Sequence, residues 1–389
     1  MFMAVSLGFE SAITYFVSNG DIDSDSMQFF AWVWIVIATG ITVLFSFIFI
    51  KNDTEFAERS ILILFTVLFV SGNLIITFFN SLFYAKHRYL LPNLVYIFTN
   101  LVLISVMLKP QLFSISKSSF ILLFFYSYLF QGFVTAILYN SLFTKWKNFQ
   151  LPSTIQLQKI IKYSSTAFLS GLLFYLATRI DYFFIDYYLK DKEVLGNYIQ
   201  ASRLVQLFQM LPAVLAAGIF PIAASGYAIP MREGIIKLSR VIFLLYIIIT
   251  CTLLLTGNWL FPFLFGNTFN QMYLPFIFLV PGLFALSLLA LMAAYFAAIN
   301  KTKWNFFIAA AGLLIIIPMD VLLIPIYGIH GAAVASSTGY CLCFIIAYFY
   351  FTKEKKIPIS DFILFKKTDI LFLLNTYKKI KSNTTSNPI

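Results

Sequence analysis

Apolar residues in this chain come in long unbroken runs, separated by short polar joints. Phe29 to Ile50 contains no charged residue, and similar runs cover about Ser60 to Phe83, Leu90 to Leu108, Ser119 to Tyr139 and Tyr163 to Leu189. Later runs cover about Gly196 to Ala224, Val241 to Phe263, Tyr273 to Ile299, Phe306 to Pro325 and Gly331 to Phe351. About 20 such residues cross a bilayer as a helix, so each of these ten runs predicts a transmembrane span. Met1 to Ser18 is a shorter eleventh candidate. The runs are continuous rather than alternating, which excludes a barrel, and their density leaves no room for a soluble domain.

Composition agrees with that pattern. Hydrophobic residues make up 60% of the 389 and charged residues only 11%, against roughly 25% charged in ordinary globular proteins. The three cysteines, Cys251, Cys341 and Cys343, all fall inside predicted spans. There they read as small apolar side chains, and no disulfide framework or metal site follows.

The formal charge is +11, and its placement carries more information than its size. With the tail after Phe351 set in the cytoplasm, alternation puts Lys86, Arg88, Lys145, Lys147, Lys159, Lys162, Arg232, Lys237, Arg240, Lys301 and Lys303 inside. Lys353, Lys355, Lys356, Lys366, Lys367, Lys378, Lys379 and Lys381 of the tail join them. The outer loops hold Lys51, Arg59, Lys109, Lys117, Lys190 and Lys192. This positive-inside bias predicts a bacterial inner-membrane protein with a cytoplasmic C-terminus, and it accounts for the basic charge without nucleic acid. Met1 is then outside or within the membrane with no basic leader, so at least one helix and part of the next are expected upstream.

The longest polar joint, "SLFTKWKNFQLPSTIQLQKIIK" from Ser141 to Lys162, divides the chain. Five spans precede it and six follow. The expected architecture is therefore all-α and membrane-integral, with two helical bundles around a central cavity. The expected parts are an N-terminal bundle over 1–144, an amphipathic linker over 145–162 lying on the inner surface, a C-terminal bundle over 163–352 and a basic tail over 353–389. The end of that tail, "KSNTTSNPI", reads as disordered.

Charges inside spans point to function, because each costs about 2.5–3.5 kcal/mol at the membrane centre. Arg179, Asp181 and Asp186 lie in one span. At 100° per residue Arg179, Tyr182 and Asp186 share a face, and Asp181 points elsewhere. Arg203 lies in the next span with Gln200 and Gln206 on its side. Asp320 and Glu10 stand in two others. Polar stripes add to these at Asn73, Thr77 and Asn80, at Asn93, Tyr96 and Asn100, and at Ser127, Gln131 and Thr135. Stripes of this kind either line a wet lumen or bond neighbouring helices. Pairs of prolines (Pro212 and Pro221, Pro275 and Pro281, Pro318 and Pro325) kink the later spans.

Ala177 to Ser225, "ATRIDYFFIDYYLKDKEVLGNYIQASRLVQLFQMLPAVLAAGIFPIAAS", resembles the start of the second half of bacterial polysaccharide flippases. These are the Wzx-like exporters of O-antigen and capsule pathways, within the multidrug/oligosaccharidyl-lipid/polysaccharide exporter superfamily. The resemblance rests on Arg179-Ile180-Asp181, Gly196 with Tyr198, Ala201 with Arg203, and Pro212 with Pro221. "NKTKW" (Asn300 to Trp304), "LIPIYGIHGAAVASS" (Leu323 to Ser337) and "LGFESAITYFVS" (Leu7 to Ser18) extend it in order along nearly the whole chain. It implies two bundles in a V, related to drug exporters of the MATE type. It also implies transfer of undecaprenyl-diphosphate-linked oligosaccharide from the inner to the outer leaflet, driven by a proton or sodium gradient without a cofactor. On that reading Arg179, Arg203, Gln206, Tyr182, Asn73, Asn100 and Gln131 contact the headgroup, and Asp181, Asp320 and Glu10 couple the ion. No residue is catalytic. Partners would be the lipid-linked glycan, the phospholipid bilayer and, by pathway, a periplasmic polymerase and cytoplasmic glycosyltransferases. A MATE-like drug exporter and a peptidoglycan-precursor flippase share the architecture. A membrane glycan polymerase would carry a large outer loop, which this chain lacks. A membrane acyltransferase would need a histidine within the bilayer, but His87 and His330 lie in loops.

Overall fold

The computed structural model of the chain describes residues 5–49, 56–108, 117–144, 150–353, 355–366 and 368–369. Several positively charged residues used for the orientation (Lys51, Lys109, Lys145, Lys147, Lys367, Lys378, Lys379 and Lys381) lie outside these residues, as does "KSNTTSNPI". The described residues are helical apart from short joints, with no strand among them.

Nine apolar helical stretches are long enough to cross a membrane among the described residues. One of them, Lys192–Phe265, has 74 residues. At 1.5 Å per residue it would be about 110 Å long, several times the hydrocarbon thickness. It is broken at Ser225 (φ −79°, ψ 20°) and Gly226 (φ 97°), so it makes two crossings and the total becomes ten, matching the ten predicted runs. The N-terminal segment contributes α1 (Phe9–Ser18), only 10 residues.

The chain divides into two compact units, Met1–Leu169 with Phe220–Gly226, and Ser170–Ile219 with Tyr227–Ile389. Unit 1 contains α1, α2 (Ser24–Phe49), α3 (Phe56–Ala85), α4 (Leu90–Leu108), α5 (Lys117–Phe143) and the first part of α6 (Thr154–Ala177). Its core is aromatic. Phe78, Phe79, Leu82 and Phe83 of α3 are fully buried against Ile13 of α1, Met27 of α2 and Tyr139 of α5. Phe83 meets Tyr139 edge-on at 5.2 Å, a favoured arrangement of ring quadrupoles. Close approach is set by glycine: a Cβ at Gly72 would lie 2.6 Å from the Tyr128 backbone. At Gly8 (φ 73°) it would lie 2.7 Å from the Ser164 carbonyl oxygen. Gln28, Asn140 and Thr144 bond one another and tie α2 to α5. At the start of α6, Ser153 and Gln156 form a reciprocal capping box, the local reason that a helix begins there.

Unit 2 holds the rest of α6, α7 (Ile180–Leu189), α8 (Lys192–Phe208), most of α9 (Met210–Ile222), α10 (Ala228–Phe265), α11 (Tyr273–Ala298), α12 (Thr302–Tyr327), α13 (Ile329–Thr352) and the short α14 (Ser360–Ile363). The α11 helix is its centre, and α13 packs along α11 and α12 through small residues. A Cβ on Gly339 would meet Ile316 at 2.3 Å, and one on Gly331 the Leu323 carbonyl oxygen at 2.4 Å. Without a hydrophobic force between helices in lipid, such close approach is what holds them together. Large apolar side chains are left exposed on the surface of this unit, such as Leu255 at 87% and Ile229 at 80%.

Candidate functional site

The charged residues of the α6–α7 span are sorted by a break in the helix. The chain leaves helical geometry at Arg179 (φ −141°) and resumes as α7. A break at membrane depth frees backbone groups that must find partners. Here the Ala177 carbonyl accepts from the Tyr340 hydroxyl of α13 at 3.3 Å. The next joint, between α8 and α9, is stitched in the same way. Tyr246 donates to the Phe208 carbonyl, and Gln209 donates to Ser287 at 3.1 Å and to the Leu283 carbonyl at 3.2 Å.

Beside the first break lies a buried polar cluster. Asp181, 1% exposed, accepts from the Tyr198 hydroxyl, from Ser336 Oγ at 3.1 Å and from the Tyr182 amide at 3.0 Å. Three donors satisfy a carboxylate well. Asp320 on α12 is fully buried, and neither of its carboxyl oxygens has a hydrogen-bond partner. Its helix, α12, packs on α7, which carries Asp181. The two aspartates therefore occupy one region of unit 2, one held by donors and the other bare.

Arg179 reaches the other way. It donates to Gln206 Oε1 at 2.7 Å and to the Tyr182 hydroxyl at 3.1 Å, and it lies 5.4 Å from the Tyr182 ring centre. Tyr182 in turn donates to Ser202 at 2.9 Å. All these partners are neutral. Arg203 is exposed and one turn before Gln206 on α8. It lies eleven residues past Lys192, about 16 Å along the helix. Asp186, grouped with Arg179 and Tyr182 by helical spacing, sits toward the C-terminal end of α7 and pairs with Lys192 at 2.5 Å.

In unit 1 the polar stripes mostly bond their own helices. Asn73 donates to Phe69, Asn93 to Tyr89 and Asn100 to Tyr96, each to the carbonyl four residues back. Thr135 does the same to Gln131. Neither helix–helix bonding nor an isolated lumen describes them fully, because the amide hydrogens are used locally and some oxygens are left over. Glu10 Oε2, Asn80 Oδ1 and Gln131 Oε1 are buried without a partner. The α1 helix runs beside α3, with Thr14 Oγ1 on the Ser81 carbonyl and Ser18 Oγ on that of Ala85. The same register places Glu10, one turn earlier, level with Thr77.

Sequence reasoning singled out Arg179, Asp181, Arg203, Gln206, Tyr182 and Asp320 as candidates. It missed Tyr198, Ser202, Ser336 and Tyr340 as partners. The one available signal was the run of small polar residues in "GAAVASS", which packs Ser336 against α7. Among the described residues no His, Cys, Asp or Glu side chains are grouped to hold a metal ion.

No protein-family model matches the chain, and no curated protein matches it. Solved structures do. A point mutant of the Vibrio cholerae MATE transporter VcmN aligns with a TM-score of 0.74 at 15% identity, over 90% of this chain and 84% of that one. A multidrug resistance MATE family transporter of the MOP superfamily, in its outward-facing conformation, aligns with a TM-score of 0.70 at 13% identity, over 91% and 84%. The eukaryotic MATE transporter AtDTX14 aligns with a TM-score of 0.69 at 12% identity, over 90% and 83%. At these identities the likeness establishes the fold: the chain is an all-helical membrane protein with the architecture of MATE transporters.

Proposed function

We propose that this chain is a membrane exporter that drives its cargo with an ion gradient. The observation that carries this reading is Asp320, a fully buried carboxyl group without a donor, on a helix packed against the one that carries a second, well-bonded carboxyl, Asp181. A bare acid inside a membrane helix is expensive as a structural element. It is reasonable as a group that binds and releases a proton or sodium ion while the transporter changes shape. Asp181 serves as the fixed neighbour and Asp320 as the group that loads. Glu10 in unit 1, with an unbonded carboxyl oxygen, is a further coupling candidate. The MATE fold is consistent with export, and a MATE-like exporter is the plainer reading of the cargo question. The chain, reconstituted in liposomes and given a proton or sodium gradient, should move an amphipathic organic cation against its concentration. Movement that ignores both gradients would overturn the proposal.

A second reading of the cargo, a polyprenyl-diphosphate-linked oligosaccharide, is favoured by a different observation. Arg179 donates its side-chain hydrogen bonds to neutral groups, and Arg203 is exposed. Guanidinium forks that are not hydrogen-bonded to a carboxylate suit phosphate oxygens, and a glycan headgroup needs substitute hydrogen bonds of the kind Gln206 and Tyr182 offer. Native mass spectrometry of the purified chain should then find a bound polyprenyl-diphosphate glycan that the Arg179→Ala, Arg203→Ala double variant loses. An equal amount on both forms removes this reading and leaves the first standing.

A further inference from the structure

Beyond α13 the chain folds back onto the basic end of unit 2. It turns after Thr352, forms α14 and reaches Asp369. Two anchors of different chemistry hold this segment. The first is apolar: Phe362 is fully buried, its ring 5.7 Å from both Tyr348 and Phe351 of α13. Tyr348 also donates to the Ile357 carbonyl at 2.6 Å. The second is ionic. Arg240 of α10 donates from Nε and one terminal nitrogen to the two carboxylate oxygens of Asp369, at 2.7 and 2.5 Å. Its other terminal nitrogen donates to the Asp361 carbonyl at 2.8 Å. The Arg240 side chain is 5% exposed and that of Asp369 0%. Within the segment, Lys366 pairs with Asp361 at 2.6 Å, and its amide donates to Asp369 at 2.8 Å.

The segment therefore joins two helices: Arg240 grips it from α10, and Tyr348 with Phe351 grip it from α13. Two turns earlier on α10, Arg232 makes a direct tie, donating to the Phe351 carbonyl at 2.5 Å with its guanidinium 5.3 Å from the Phe351 ring. These ties matter because α10 begins just after the break at Ser225 and Gly226. Its first turns have no continuous helix behind them to hold their direction.

We propose that residues 357–366, together with Asp369, are a strap that fastens the first turns of α10 to the end of α13. Strapped, the basic end of unit 2 holds together as one piece. Released, residues 228–240 of α10 loosen while the rest of unit 2 stays folded. The strap thereby sets how freely α10 bends at its own start, a motion that an exporter would need to control. Its action is independent of the identity of the cargo or the ion.

Hydrogen exchange on the full chain in lipid nanodiscs tests it. In the unsubstituted chain, residues 357–366 should exchange as slowly as the end of α13, and exchange at the rate of an unstructured peptide overturns the strap outright. Asp369→Asn and Phe362→Ala remove the two anchors independently. Each should speed exchange about a hundredfold in 357–366 and in 228–240, with residues 303–316 of α12 unchanged. Release of 357–366 without any change in 228–240 would contradict the proposal. So would a segment that stays protected in both variants, or exchange that rises equally in α12.

Discussion

Asp181 and Asp320 carry the same side chain in the same unit with opposite surroundings. Tyr198, Ser336 and the Tyr182 amide all donate to the first, and nothing donates to the second. Removing donors from Asp181 should therefore matter to the fold. Ser336→Ala leaves a buried carboxylate one bond short and should cost about 1–3 kcal/mol, read as a lower melting temperature in detergent. A melting point unchanged from wild type would mean that Ser336 only fills space. Arg179→Ala should cost less stability than that, because its partners Gln206 and Tyr182 keep Ser202 between them. The ionisable members of this cluster were legible in the sequence, since a charge inside an apolar run stands out. Their hydroxyl partners were not. Ser336 is 155 positions from Asp181, and a hydroxyl residue in a span gives no sign of which distant helix it faces.

Among the helices, the spans were legible because length and apolarity alone define a crossing. The breaks within them were harder to read. Pro221 precedes the joint between α9 and α10, but Gly226, with φ 97° and open space around it, is the residue that permits the turn. Gly226→Ala would meet no neighbour, only backbone strain, and should cost about 1 kcal/mol. Gly72→Ala is the contrasting case, with an ordinary backbone and no space. It should destabilise by about 1–3 kcal/mol through collision with the Tyr128 backbone. Thermal melts of the two variants side by side separate strain from crowding, and a Gly72→Ala protein as stable as wild type would refute the close α3–α5 contact. The tail illustrates what sequence could not supply. It reads in sequence as a basic cytoplasmic tail, whereas Phe362 and Asp369 are buried. The Asp369 carboxyl meets the Arg240 guanidinium of α10 and the Lys366 amide of its own segment. The Arg240 hydrogen bonds hold it below the usual aspartate range. A depressed folded value means that the tie contributes fully above the unfolded value of about 4 and is lost as pH falls through the folded one. Exchange protection of residues 357–366, corrected for intrinsic rates, should then be flat from pH 8 to about 5 and fall only in stronger acid. A fall beginning near neutrality would contradict this assignment.

At the scale of the whole molecule, the chain has the helical architecture of MATE transporters and divides into two compact units, while its longest polar joint and its charge placement carry an expected division and orientation. The unit boundary falls at Leu169 and Ser170, inside α6, because that helix continues unbroken from its cap at Ser153 to the break at Arg179. Spacing of polar residues alone could not place it. Orientation gives a prediction: a single cysteine replacing Lys366, in a chain with its native cysteines removed, should label only from the cytoplasmic side, and labelling from outside would invert the topology. Coupling through Asp320 is tested most directly by comparing the wild-type chain with Asp320→Asn in liposomes. Cargo exchange without a gradient and uphill movement with one are followed in the same preparation. The variant should keep exchange and lose uphill movement. An Asp320→Asn protein that still concentrates cargo as well as wild type would contradict ion coupling at this residue.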